Sequence, residues 1–312
     1  MKIDELGDRF FPVAMVNVTN RCTLKCRTCF VYRDGNPNEP PKRLADEMDT
    51  ETMLETLARL RDRHRIRTMV WMGGEPLLRK DVLREGVKLF EENTIVTNGT
   101  IDLMDLGKVI YVVSLDGPEP VNDSLRGKGC FKRVMRTLGR VPDPFEPTIQ
   151  VQCVVSKENE GHLEEFLKAI IGTRADGLVY SFYVPRRNDT TTLAWKSLEE
   201  REPAVRRVMD LKKRYPKFVW NSFESLELML AANSKAVTDN CLPKKYLLPL
   251  YLNGKEFEVP FCCVGNDADC DLCGMWGVFH FAAKMNTRER SRYMPESLVA
   301  ASKTETGRAQ FS

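Results

Sequence analysis

A chain of 312 residues with 42% apolar content is long enough to bury one large core or two of ordinary size. Lys and Arg number 47 against 44 Asp and Glu, and this net charge of +3 excludes nucleic acid and anionic membrane as default partners. No apolar run is long enough for a membrane span and the N-terminus is too acidic for a secretory signal, so we expect a cytoplasmic protein. Ten cysteines in such a protein indicate metal ligation or catalysis rather than disulfides.

Strand and helix patterns alternate along the first two thirds of the chain. Short apolar runs that are typical of strands buried on both faces occupy residues 13–18, 68–72, 94–97, 109–115, 148–155 and 178–184. Helical patterns lie between them, at residues 50–64, 80–91, 130–140 and 159–171. Six strands that alternate with helices predict an α/β fold with a parallel sheet. Periodicity alone leaves an open partial barrel and a doubly wound sheet as alternatives.

Three cysteines follow the first predicted strand within eight residues, at Cys22, Cys26 and Cys29. This spacing lets three thiolates converge on one inorganic centre, but it supplies one ligand too few to close a tetrahedral zinc site or a four-iron cluster. An open coordination position is where a metal centre does chemistry. The alternative is a zinc site that a histidine from elsewhere in the chain completes.

The C-x3-C-x2-C loop resembles that of the radical S-adenosylmethionine (SAM) enzymes, and the resemblance covers about residues 10 to 190. It implies a partial (β/α)6 TIM-type barrel in which Cys22, Cys26 and Cys29 hold a [4Fe-4S] cluster with one iron free for SAM. It further implies a one-electron donor such as flavodoxin or ferredoxin. The electron breaks SAM, and the resulting 5′-deoxyadenosyl radical abstracts hydrogen from a small-molecule or peptide substrate.

The turn after the second predicted strand, Gly73-Gly74-Glu75-Pro76, stands where the resembled family has a glycine-rich motif after its cysteine loop. Its glycines let the backbone approach a ligand closely and Glu75 offers an acceptor, so the resemblance implies that the motif grips the SAM amino group. Asn98, after the third strand, is expected to line the same pocket. An ordinary strand-to-helix turn is the alternative for the glycine motif.

Three further residues complete the predicted SAM pocket. Ser114 and Asp116 end the fourth strand, where acceptors suit the ribose hydroxyls. Arg126 lies in a loop that the resembled family uses to pair with the SAM carboxylate, and a guanidinium is suited to bidentate carboxylate recognition. The alternative for Arg126 is a solvated surface residue. Near the end of the sixth strand, Tyr180, Tyr183 and Arg186 are expected to face the substrate, which they predict to carry a polar or anionic group.

A second group of cysteines stands late in the chain, at Cys241, Cys262, Cys263, Cys270 and Cys273. A C-x2-C pair with two further thiolates fits either zinc or an iron–sulfur cluster. Members of the resembled family with a twitch or SPASM extension carry an auxiliary [4Fe-4S] cluster there, so we predict a second cluster. Its predicted ligands are Cys241, Cys263, Cys270 and Cys273, although either member of the Cys262–Cys263 pair can serve.

Cys262, the spare thiol, bears on the outcome of the reaction. If it points to the barrel mouth, it is the predicted catalytic residue that returns hydrogen to a substrate radical, which gives epimerisation; the alternative is an inert buried thiol. If the second cluster accepts an electron instead, the result is dehydrogenation or peptide crosslinking. Radical addition to an alkene, as in adenosylhopane-forming synthases, is the runner-up. A non-catalytic metal-binding scaffold is the rival from another class.

Three segments are therefore predicted. Residues 1–195 form the radical SAM partial barrel, residues 196–283 a helix plus the auxiliary-cluster region, and residues 284–312 a polar tail. Within the second segment, a charged helix is predicted at 196–214 and an apolar helical stretch at 223–232, and the cysteine region is expected to be rich in loops.

Overall fold

The computed structural model describes residues 2–32 and 44–285. Of the polar tail predicted at residues 284–312, everything after residue 285 lies outside this described part of the chain. Among the helices of the described residues, none is both long and apolar enough to cross a bilayer.

Each of the six predicted strands is present, and together they form one parallel sheet. Their bounds are β1 Val13–Asn17, β2 Thr68–Met72, β3 Glu92–Thr97, β4 Val109–Ser114, β5 Thr148–Val155 and β6 Gly177–Phe182. Strands adjacent in sequence are adjacent in the sheet from β1 to β6. A doubly wound sheet reverses its strand order at a switch point, so this uninterrupted order favours the predicted partial barrel.

Two further strands extend the sheet beyond β1, where loops were expected. Strand β7 (Leu247–Asn253) pairs parallel to β1, and β8 (Glu256–Glu258) pairs antiparallel to β7. Over the described residues the sheet ends in β6 at one side and β8 at the other, so it is open. Pro249 lies in the middle of β7, although a proline normally argues against a central strand. The late cysteine region is thus joined to the main sheet, and the predicted division at residue 195 stays a prediction.

Ten α-helices accompany the sheet in the described residues. Their bounds are α1 Thr50–His64, α2 Lys80–Gly86, α3 Glu119–Arg126, α4 Cys130–Gly139, α5 Leu163–Ile170, α6 Leu198–Arg214, α7 Phe223–Glu227, α8 Ala231–Asp239, α9 Leu242–Tyr246 and α10 Trp276–Met285. Helix α1 begins where its sequence predicts, because the Asp49 carboxylate accepts from the Thr52 N–H at 2.9 Å. Helix α3 was not predicted, and the apolar stretch at 223–232 is divided between α7 and the start of α8.

The helices of the barrel cover one face of the sheet. The Trp71 ring faces α2 so closely that a Cβ on Gly86 would lie 2.3 Å from it, and its indole N–H donates to Asn93. Tyr180 faces the same layer, because its hydroxyl donates to the Leu163 carbonyl at the start of α5. Alternate residues of each strand therefore point to the opposite, inner face.

Helix α10 approaches the inner face at β6. Its first backbone N–H, on Trp276, donates to the Ser181 hydroxyl at 3.0 Å. Ser181 adjoins Tyr180 in β6 and so points to the opposite side of the sheet. Since α10 directly follows the last cysteine, the late cysteine region is brought to the same side of the sheet as the barrel interior.

Candidate functional site

The loop after β1 carries Cys22, Cys26 and Cys29, and all three thiols line a cavity of about 770 Å³. Each of the three cysteines is free and half-buried. The remaining lining residues come from the same loop and from the segment after β6, and they are Thr23, Leu24, Lys25, Arg27, Tyr32, Tyr183, Arg186 and Thr191. The cavity lies at the carboxyl ends of the parallel strands, where α/β barrels bind their ligands.

The chemistry of these thiols fits an iron–sulfur cluster. Burial, partly offset by Arg126 and reinforced by the neighbouring Cys29, raises the pKa of Cys26 to about 12. Burial also raises the pKa of Cys22. Each of these thiols makes ionisation of the others less favourable. A positively charged metal group that displaces their protons removes this repulsion and stabilises the thiolates. No three His, Cys, Asp or Glu side chains of residues 2–32 and 44–285 lie close enough to share one metal ion, whereas a cluster takes its thiolates on separate irons.

The Glu75 carboxylate anchors the turn after β2 to the end of β3. It is fully buried and accepts hydrogen bonds from the Leu77 N–H (3.1 Å), the Thr97 hydroxyl (2.7 Å) and the Asn98 N–H (2.8 Å). Burial raises the pKa of Glu75 to about 7 in spite of these donors. All three donors belong to the protein, so the predicted contact of this motif with the SAM amino group stays a prediction.

The glycines of the same turn approach protein backbone rather than a ligand. A Cβ on Gly73, whose φ is +145°, would lie 2.4 Å from the Thr19 carbonyl oxygen, and one on Gly74 would lie 2.2 Å from that of Arg21. The two loops are also hydrogen-bonded, from the Gly74 N–H to Thr19 (2.7 Å) and from the Glu75 N–H to Arg21 (2.8 Å). The glycines therefore let this turn hold the start of the cysteine loop, and their predicted approach to a ligand stays a prediction. Pro76 follows as the first residue of a 3-10 turn.

Asn98 connects the end of β3 to the cysteine loop. Its side-chain amide donates to the Thr23 hydroxyl at 3.0 Å and to the Cys22 sulfur at 3.6 Å. A hydrogen bond to sulfur favours the thiolate form that a cluster needs. The structure thus places Asn98 beside the first cysteine, next to the predicted pocket.

Asp116 and Arg126 bind each other. The Arg126 Nε lies 2.7 Å from Asp116 Oδ2, and both side chains are buried. The other carboxylate oxygen accepts from the Val154 N–H at 2.8 Å. Arg126 is the last residue of α3, so its placement in a loop was wrong. Ser114, the third residue of this group, ends β4 opposite Gln152, and the SAM contacts of all three residues stay predictions.

One ion pair that the sequence did not indicate ties the cysteine loop to the far wall. Both terminal nitrogens of Arg27 donate to Glu158 at 2.7 Å, and Glu158 also accepts from Thr192. Because these partners are more than 130 residues apart in the chain, no local pattern could reveal them.

Of the three residues expected to face the substrate, two line the large cavity and one does not. Tyr183 and Arg186 are in its wall, where Asp189 accepts from the Tyr183 hydroxyl (2.9 Å) and from the Arg186 N–H (3.2 Å). Tyr180 is fully buried against α5, so the expectation for this residue was wrong. Successive side chains of a strand point to opposite faces, so Tyr180 points to the face that the helices cover and Ser181 points to the inner face.

All five late cysteines line a second cavity, of only about 20 Å³. Within it, the Lys244 ammonium donates to the Cys270 sulfur at 3.2 Å, and the Cys263 sulfur lies 3.4 Å from that of Met275. Burial raises the pKa of Cys273 to about 12, and Cys241 and Cys262 add to the effect. These thiols also disfavour one another's ionisation, so they too are suited to bind a metal group that replaces their protons.

Cys262 lies among the other late cysteines and is not in the described lining of the large cavity. Its thiol donates to the Gly265 carbonyl at 3.5 Å and accepts from the Val264 N–H at 3.4 Å. A hydrogen bond from Cys263 lowers the pKa of Cys262. Its catalytic role at the barrel mouth stays a prediction. In this structure Cys262 lies in the same small cavity as the other four late cysteines.

A buried arginine of α6 holds the loop that carries the last cysteine. The Arg201 guanidinium donates to the carbonyls of Cys273 (2.8 Å), Leu272 (3.2 Å) and Met229 (3.2 Å), and to the Ser234 hydroxyl (3.1 Å). Burial lowers its pKa to about 10. The sequence did carry a signal for this residue, because Arg201 falls on the apolar face of α6 at helical spacing from buried positions further along the helix.

Comparison with known proteins agrees with this geometry. Residues 16–170 match the model of the radical SAM superfamily. The Fe-coproporphyrin III synthase of Methanosarcina barkeri is 33% identical over 138 residues, which are 41% of this chain. The chain spans only 33% of that relative's length.

Two solved structures have a similar fold. The structure described as native anSMEcpe with bound AdoMet has a TM-score of 0.62 and 15% identity, covering 90% of this chain and 82% of that one. Streptococcus suis SuiB bound to the precursor peptide SuiA has a TM-score of 0.60 and 15% identity, covering 86% of this chain and 64% of that one.

Proposed function

The chain belongs to the radical SAM superfamily, and from this premise we propose that it reductively cleaves SAM and abstracts hydrogen from a peptide or other small substrate. When bound, the [4Fe-4S] cluster and SAM supply the one-electron cleavage that yields the 5′-deoxyadenosyl radical. The observation that carries the proposal is the opening of Cys22, Cys26 and Cys29 onto a cavity of about 770 Å³. A cavity of this size suits a ligand as large as SAM together with part of a substrate.

The chain's own residues position the reactants. Cys22, Cys26 and Cys29 would hold the cluster, and Asn98 supports Cys22 with a hydrogen bond. The buried pair of Asp116 and Arg126 adjoins the loop, since the Cys26 thiol lies 4.0 Å from the Arg126 carbonyl. This proximity supports the predicted roles of the pair at the SAM ribose and carboxylate.

The substrate would occupy the far wall of the cavity, beside Tyr183, Arg186 and Thr191. A hydroxyl and a guanidinium favour a substrate with a polar or anionic group. A peptide is our first choice, supported by the similar fold of SuiB, whose structure holds a precursor peptide.

The late cysteines would hold a second [4Fe-4S] cluster, with zinc as the alternative. Their thiols surround a cavity of about 20 Å³, which leaves no room for a substrate beside a metal group. Cys262 shares this closed setting, which favours dehydrogenation or crosslinking of the substrate over epimerisation by a thiol at the barrel mouth.

Anaerobic reconstitution with iron, sulfide, SAM and dithionite tests the proposal. We expect 5′-deoxyadenosine to form, and about eight irons per chain, or about four with one zinc if the late site binds zinc. Absence of 5′-deoxyadenosine from a fully loaded protein would favour the metal-binding scaffold. An adenosyl group attached to the product would favour radical addition instead.

A further inference from the structure

A lysine side chain reaches into the second cysteine group. Lys244 lines the small cavity, and its ammonium donates to the Cys270 sulfur at 3.2 Å. Helix α9 places the lysine there, because the helix begins directly after Cys241 and the Lys244 N–H donates to the Cys241 carbonyl at 3.2 Å. Lys244 is therefore joined to two predicted ligands of the second cluster, to one through its backbone and to the other through its side chain.

The ring of Phe261 covers the same ammonium. The Lys244 Nζ is 3.9 Å from the ring centroid, a distance at which a cation is attracted to the face of an aromatic ring. Among residues 2–32 and 44–285, no carboxylate forms an ion pair with Lys244. The ring keeps water from one side of the ammonium, and this strengthens the interaction of the charge with the Cys270 sulfur.

The carboxylates near the small cavity offset only part of this charge. Asp269 lines the same cavity, and its carboxylate accepts from the Asp271 N–H at 3.0 Å. The carboxylate of Asp271 is paired with Lys235 at 2.8 Å, and Asp267 is not in the described lining of the cavity. Asp269 therefore acts against Lys244 through space, while the direct contact with a sulfur is made by the lysine.

Cys22 of the first group accepts from neutral donors instead. These are the Asn98 side-chain amide at 3.6 Å and the Leu24 N–H at 3.5 Å. Arg126, which lies beside Cys26, is paired with Asp116 at 2.7 Å. Hydrogen bonds from ionised donors are about twice as strong as those between neutral groups, so the two groups of thiols differ in the strength of a donor on sulfur.

We propose that Lys244 raises the reduction potential of the second cluster by stabilising its reduced form. A [4Fe-4S] cluster gains one negative charge when it is reduced, so a cation that donates to a ligand sulfur favours the reduced state. The inference rests on the proposed function in one respect, namely that the late cysteines hold an iron–sulfur cluster. In dehydrogenation the substrate radical loses one electron and one proton, and a raised potential suits the second cluster to take up that electron.

A redox titration of the reconstituted holoenzyme, followed by electron paramagnetic resonance, tests the proposal. It compares the wild type with Lys244→Met, Lys244→Arg and Asp269→Asn. Lys245→Met is the matched control, because Lys245 is an exposed lysine of the same helix. The variant Cys26→Ala, which should retain only the second cluster, assigns the signal of that cluster.

We expect Lys244→Met to shift the ratio of reduced to oxidised second cluster about tenfold toward the oxidised form, which is a fall in potential of about 59 mV for one electron. Lys244→Arg should keep most of the wild-type potential, Lys245→Met should not change it, and Asp269→Asn should raise it. A wild-type potential in Lys244→Met, or an equal fall in Lys245→Met, would overturn the inference, and so would zinc at the late site.

Two further readouts keep the outcomes distinct. If Lys244→Met does not bind the second cluster, Asp269→Asn decides, because it keeps the lysine and changes only the opposing charge; a potential that does not rise in this variant would overturn the inference. Formation of 5′-deoxyadenosine with dithionite is measured separately. Its absence would defeat the proposed cleavage of SAM, while the titration still decides whether Lys244 sets the potential of the second cluster.

Discussion

The two cysteine groups differ most in the space before them. Cys22, Cys26 and Cys29 line a cavity of about 770 Å³, whereas the five late cysteines surround about 20 Å³. Three thiols that face an open cavity leave one metal coordination position free for a ligand. Four or five thiols around a closed cavity leave no such position. Cysteine clusters at two places in one chain are thus suited to different tasks. The first group is suited to bind a reactant, and the second group is suited to retain a buried metal group.

The two groups are also held in different ways. The first is held by backbone, since the turn at Gly74 and Glu75 hydrogen-bonds to the start of the cysteine loop. The second is held by buried or partly buried cations, with Arg201 on the Cys273 carbonyl and Lys244 on the Cys270 sulfur. These backbone contacts act together with the Arg27–Glu158 ion pair, which ties the first cysteine loop to the far wall of the cavity. Side chains, including that of Lys244, leave a cavity of only about 20 Å³ at the second site.

The largest expected effect separates the two groups by function. Cys26→Ala should lower dithionite-driven formation of 5′-deoxyadenosine by about a thousandfold or more, because it would remove a proposed ligand of the [4Fe-4S] cluster that cleaves SAM. Cys273→Ala should lower it by at most about tenfold, while product formation is lost. Each variant should lose about four irons per chain. Chromatography of 5′-deoxyadenosine and iron analysis measure both effects.

Cys153→Ala is the control for this pair, because Cys153 is buried in β5 outside both groups. It should keep the full iron content. Equal losses of 5′-deoxyadenosine in Cys26→Ala and Cys273→Ala would contradict the division of roles between the open and the closed site.

The next effect concerns how the closed site is held. Arg201→Met should lower the free energy of unfolding by about 3 kcal/mol, because three carbonyls and a hydroxyl lose their buried donor. Arg206→Met on the same helix, which removes an exposed pair with Glu202, should cost less than about 1 kcal/mol. Urea denaturation of the metal-free proteins measures both. A loss no greater than that of Arg206→Met would show that Arg201 does not hold the Cys273 loop.

A comparable effect, spread over a range of pH, concerns the turn that holds the open site. The pKa of Glu75 is raised from 4.5 to about 7 in the folded chain by burial, so the folded state keeps its proton at pH values where the unfolded state has lost it. Stability should therefore fall as pH rises from about 4.5 to about 7, by about 3 kcal/mol, and then level off. Urea denaturation at intervals of pH, with Glu75→Gln beside the wild type, measures this contribution. The difference between the two proteins should vary over this pH range, and a constant difference would contradict the raised pKa.

Much of the fold followed from local patterns. The six strands and the main helices were predicted because apolar runs and helical spacing are read within one element. Strand β7 was not predicted: it contains Pro249, which in a sequence argues against a central strand, and only the pairing of Pro249 with Met15 of β1 shows that this apolar segment extends the sheet. Helix α3 was missed because it is short and polar, and Arg126 was therefore placed in a loop.

The sequence by itself determined the candidate thiol sites, because the spacing of Cys22, Cys26 and Cys29 and the late C-x2-C pair can be recognised from neighbouring residues alone. Only the tertiary structure decided what surrounds them. The contacts of Gly73 and Gly74 with the cysteine loop, the pairing of Arg126 with Asp116 and the closed setting of Cys262 each join segments distant in the chain. Such contacts depend on how the strands and loops meet in space. The spacing of residues along the sequence does not indicate which distant segments come into contact.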